Sequence, residues 1–67
     1  MVITQSALMD ATYAASELTD SELALVWRSH APKALRFAAL KLLNDRELID
    51  DAQLELYTAQ LFCALLN

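Results

Sequence analysis

A chain of 67 residues with one cysteine and one histidine has neither an internal disulfide nor the four ligands of a structural zinc site to hold it together. Small domains otherwise gain the burial they need by association, and a composition that is 57% hydrophobic supplies the material for it. The formal net charge of −4 argues against wholesale binding to nucleic acid or anionic membrane, since both need basic surface.

No apolar run approaches the length of a membrane span, and the opening MVITQSALMDATYAAS has neither the basic start nor the apolar middle of a signal peptide. The expectation is one cytoplasmic domain over residues 1–67 with a reduced thiol. With no glycine and one proline, the sequence contains no flexible linker and no low-complexity tail.

Residues 2–5 carry no firm signal. From Ser6 to Ser16 the residues suit a helix capped by the Ser6 hydroxyl, with Leu8, Ala11, Thr12 and Ala15 on one side. The next start is sharper. Thr19 followed three residues later by Glu22 is a capping box, and Leu18 with Leu23 forms the hydrophobic staple around it. A helix over 20–30 follows, with Leu23, Val26 and Trp27 available to pack. Its acids, Asp20 and Glu22, stand at the positive end of the dipole, and Arg28 and His30 at the negative end.

Pro32 removes a helical hydrogen bond and disfavours helical geometry at Ala31. The reading is a break near His30 and a new helix over 32–43, with Pro32 welcome at its first position. One kinked helix from Asp20 to Leu43 is the alternative. Asn44 to Asp50 then connects to a final helix over 51–66, whose start is marked by Asp50 with Gln53 as a second box and Ile49 with Leu54 as a second staple. No strand signal of any length occurs, so the expected fold is all-α, a compact bundle of three to four short helices completed by homodimerisation.

That last expectation rests on the final helix, read as the element around which the rest is arranged. At about 100° per residue, Leu54, Tyr57, Leu61, Ala64 and Leu65 form one stripe, and Leu56, Ala59, Cys63 and Leu66 form another nearly opposite. A helix apolar on two sides wants neighbours on both. The expected dimer seam draws on Leu54, Leu56, Leu61, Cys63, Leu65 and Leu66.

Catalytic equipment is not apparent. His30 reads as a helix-end cation or a solvated junction residue rather than a base, and Cys63 as a buried structural thiol. Asp45, Glu47, Asp50 and Asp51 have neither the glycine turn nor the ligand spacing of a calcium loop. No cofactor, metal or small-molecule substrate is implied, and the chain is not read as an enzyme. The charge order says more: Arg28, Lys33, Arg36, Lys41 and Arg46 all fall between positions 28 and 46, with no acid between Glu22 and Asp45. This is either a patch for an anionic surface or an internal balance against acid-rich neighbours. Trp27 is either an ordinary core residue or a binding anchor, since Trp and Arg are frequent interface hot spots.

The Leu18–Leu23 opening, followed by a break and a second helix, resembles that of small helical-hairpin inhibitors of bacterial kinases. Those few capping residues serve helices of every kind, so no function is carried over. The functional expectation is a small non-enzymatic regulator, an inhibitor or adaptor of the size common in phages and other mobile elements. It would act as a homodimer that docks on a protein target through Trp27, Arg28, Lys33 and Arg36. The alternative is a helical DNA-binding regulator that uses the 28–46 segment, with a structural subunit of a larger assembly as a third reading.

Overall fold

Both capping boxes form in a computed structural model of the chain, which describes residues 4–63. The Thr19 hydroxyl accepts from the Glu22 N–H at 3.2 Å while the Glu22 carboxylate accepts from the Thr19 N–H at 3.0 Å, and helix α2 runs Asp20–Arg28. Asp50 and Gln53 repeat the exchange at 2.7 and 3.0 Å and open α4, Asp51–Cys63. Each box satisfies two N–H groups that helix geometry leaves free.

Two other starts differ from expectation. Helix α1 runs Gln5–Ser16 and is capped by Thr4 rather than Ser6. Thr4 is extended, at φ −70° and ψ 153°, and its hydroxyl accepts from the Ala7 N–H at 3.1 Å. Starting there adds Gln5 and Ser6 to the helix and lets the Thr4 carbonyl accept from Leu8. Helix α3 runs Lys33–Asp45, with Pro32 just before it. The kinked-helix alternative is ruled out by Ser29, whose extended backbone at ψ −175° ends α2.

Helix α3 ends in a Schellman motif built without glycine. The Glu47 N–H donates to the Asn44 carbonyl and the Leu48 N–H to the Leu43 carbonyl, both at 2.9 Å, which places Glu47 in the left-handed region at φ 62°. For a residue with a Cβ this conformation costs about 1 kcal/mol. The motif fixes the direction in which Leu48 leaves the helix.

The element at the centre is α3, not the final helix. It packs against each of the other three, and more extensively against α1 and α2 than against α4. Four of its residues, Ala38, Ala39, Leu40 and Leu43, are buried, whereas α4 buries Leu61 alone among its described residues. Small side chains are the reason. Ala15, Ala38 and Ala39 are all fully buried in one cluster with Leu23 and Leu43, and alanines let helix backbones approach closely enough to exclude water. The apolar residues of α4 are spread round its circumference, so burying one side leaves the other bare.

Among the described residues there are four α-helices and no strand. The Cα radius of gyration, 11.0 Å, is about that of a close-packed globule of this length. No described helix is long and apolar enough to cross a membrane.

Candidate partner-binding site

The basic residues of positions 28–46 divide into two groups. Three of them reach the carbonyl ends of other helices. Arg36 Nε donates to the Trp27 carbonyl at the end of α2 at 2.9 Å, and Lys33 Nζ donates to the Leu61 carbonyl in the last described turn of α4 at 2.8 Å. Arg46 donates to the Leu18 carbonyl at 3.1 Å, to the Ser16 carbonyl that ends α1 at 3.4 Å, and to the Asp20 carboxylate at 2.7 Å. Neither α1 nor α4 has a basic residue in its own last turn, and the chain has no glycine for a left-handed cap. The cations of α3 and its end therefore serve the negative poles of its neighbours.

Arg28 and Lys41 form the second group: both are exposed, and neither makes an ion pair among the described residues. Arg28 stands on a cleft of about 320 Å³ between α2, the α3–α4 turn and α4. One wall is aromatic: Trp27 and Tyr57 stack at 4.8 Å between centroids and 31° between planes. Ala24, Leu43, Leu48 and Ile49 supply further apolar lining. Leu48 is 48% exposed at the rim, where the Schellman turn holds it. The cleft's acid, Asp20, is already paired with Arg46, so Arg28 is the charge in the lining that has no partner.

Of the four residues expected to meet a partner, the structure thus brings Trp27 and Arg28 onto one cleft. Lys33 and Arg36 are partly buried and hydrogen-bonded within the chain. Trp27 packs on the core cluster and also lines the cleft.

The two stripes of α4 face opposite ways. Leu54 and Tyr57 are partly buried and Leu61 is 1% exposed, so Leu61 lies inside the chain and is not presented to a second copy. Leu56 is 54% exposed, and Ala59 and Cys63 are exposed beside it. Cys63 is therefore a surface thiol and not the buried one expected, because α3 packs on the opposite side of the helix. Leu65 and Leu66 lie outside the described residues.

Leu48 and Tyr57 join the site without a sequence signal that marks them: Leu48 is aimed by a left-handed residue that composition does not announce, and Tyr57 is one of many apolar positions on α4. A second exposed apolar feature, not singled out from the sequence, is Met9 and Tyr13 on α1, at 65% and 75% exposure. Among the described residues, Glu22 is the acid whose titration the fold visibly alters. Its carboxylate is held below the ordinary value by the Thr19 backbone N–H and then by the Thr19 hydroxyl, with a small opposing effect of burial.

Comparison with protein-family models, with curated proteins and with solved structures finds no match. The argument for function therefore rests on the site itself.

Proposed function

We propose that the protein is a small non-enzymatic regulator of the cytoplasm that works as a homodimer and docks on a protein target through the Trp27 cleft. The observation that carries this reading is the cleft's make-up. A stacked Trp–Tyr wall, an apolar rim residue and a cation without a partner are the materials of an interface hot spot: large apolar area ringed by a polar edge. At about 320 Å³ the cleft is at the small end of ligand sites, so it suits an anchoring side chain of a partner better than a bulky cofactor.

The test is affinity capture from the native host with the tagged chain, run beside Arg28→Glu and Leu48→Asp. Both substitutions fall on exposed residues and leave the core alone. A target held by the parent chain and lost by both variants supports the reading. A target held equally by all three contradicts docking at this cleft. The DNA-binding alternative would have to rely on Arg28 and Lys41, the exposed cations that make no ion pair among the described residues. It predicts duplex affinity that falls steeply with salt, and no measurable binding at low salt removes it.

A further inference from the structure

The Trp27 cleft has a direction. Its α2 wall is a single stripe, Asp20, Ser21, Ala24, Trp27 and Arg28, spaced at i, i+1, i+4, i+7 and i+8 and so about 12 Å long. At one end the Asp20 carboxylate is neutralised by Arg46 at 2.7 Å. The middle is apolar and is completed by residues of α3, the α3–α4 turn and α4. At the other end stands Arg28. We propose that the occupant of this cleft is an acidic segment of the target protein, which seats one bulky apolar side chain in the apolar middle and sets an Asp or Glu carboxylate on Arg28. The proposal deepens the docking reading above and rests on it.

Three features point to a carboxylate. The first is that the ordinary duty of Arg28 is already performed by others. It lies in the last turn of α2, where a cation serves the carbonyls that the helix leaves unpaired. Arg36 Nε donates to the Trp27 carbonyl at 2.9 Å, and the Ser29 hydroxyl donates to that of Val26 at 2.7 Å. Arg28 is thus left on the cleft, exposed and with no ion pair among the described residues. The second is its setting. An apolar side chain seated against the Trp27–Tyr57 wall displaces water, and a charge pair formed beside it is stronger than one on open surface. The guanidinium fork also matches the two oxygens of a carboxylate. The third is the count of charges. With Asp20 balanced by Arg46, the lining offers one positive charge, which a singly charged carboxylate matches. A phosphorylated residue brings about −1.5 to −2 and would leave charge unpaired, and a nucleic acid would meet no second cation in the lining.

The experiment selects binders of the full chain at low salt from a displayed library of random, tryptophan-free peptides, and then titrates the selected peptides, synthesised with blocked ends, against the chain. Trp27 is the one tryptophan of the sequence, so its fluorescence reports occupation of the cleft. Circular dichroism checks that Leu48→Asp and Arg28→Glu, both at exposed positions, keep the helices. Peptides that bind the parent and not Leu48→Asp are expected to carry a bulky apolar residue with an Asp or Glu a few positions away. Replacing that acid by its amide, or Arg28 by Glu, should weaken binding by about tenfold. A lysine in place of the acid should restore binding to Arg28→Glu and not to the parent. Cleft binders that carry no acid, or that bind Arg28→Glu as well as the parent, overturn the acidic segment and leave docking at the cleft standing. A selection that yields no peptide lost on Leu48→Asp overturns both.

Discussion

Helices α1 to α3 and helix α4 are joined to the molecule by different means. The first three share one cluster, in which Ala15, Leu23, Ala38, Ala39 and Leu43 are closed to solvent, and Arg46 ties the end of α1, the turn after it and the start of α2 to the end of α3. Helix α4 contributes none of the buried members of that cluster. It is attached by buried Leu61, by the Trp27–Tyr57 stack, by the edge-on Phe37–Phe62 pair at 5.6 Å, and by the Lys33 bond to the Leu61 carbonyl. Apolar content therefore does not decide which helix is central. Small residues that permit close approach do, and α3 has them where α4 has larger side chains facing both ways. The Trp27 cleft opens along the junction between the two regions.

The comparison breaks most visibly at Leu40. Fully buried in α3, it is expected to cost about 3 kcal/mol when replaced by alanine, as core truncations do, whereas Leu56→Ala on the outer side of α4 should cost under about 0.5 kcal/mol in the monomer. Chemical denaturation of the two variants checks this, and equal losses would deny α3 its central place. Next in size is Arg46→Ala, which removes one guanidinium from two carbonyls and a carboxylate. Its side chain is 31% exposed, so about 1–2 kcal/mol is expected after allowance for solvent. A loss confined to α4 in residue-resolved unfolding would contradict the role given to it.

Glu47→Gly works in the opposite direction. It relieves the left-handed Cβ and should stabilise the chain by about 1 kcal/mol, less the added freedom of glycine in the unfolded state. A lower melting temperature would mean that the turn is not strained. The smallest effect concerns acid. Because the carboxyl of Glu22 titrates lower when folded than when unfolded, its contribution is fully present above the ordinary glutamate value of 4.5. It fades as pH falls through the lower folded value. Glu22→Gln keeps a capping partner without the charge and should flatten the acid side of a melting-temperature profile slightly, while a profile identical to the parent's would remove Glu22 from the pH response.

Local signals were the legible part of this fold. Thr19 with Glu22 and Asp50 with Gln53 name both partners of a hydrogen-bond exchange at fixed spacing, so two helix starts could be read directly. Pro32 located a break for the same reason, since its ring acts on its immediate neighbours. The two stripes of α4 were also legible as a pattern, yet the pattern does not say which faces inward. That is settled by Ala38 and Ala39 some twenty residues away, whose small size matters only once another helix lies across them. Trp27 and Arg28 were picked out by residue type. Their cleft was not, because it needs Leu48 turned by a left-handed glutamate and Tyr57 stacked from a separate helix.

The central place of α3 is tested most directly by native-state amide hydrogen exchange. If α3 holds the fold together, amides of Lys33–Asp45 exchange only through global unfolding, while those of Asp51–Cys63 open at a lower free energy. Protection in α4 equal to or above that in α3 would contradict the account.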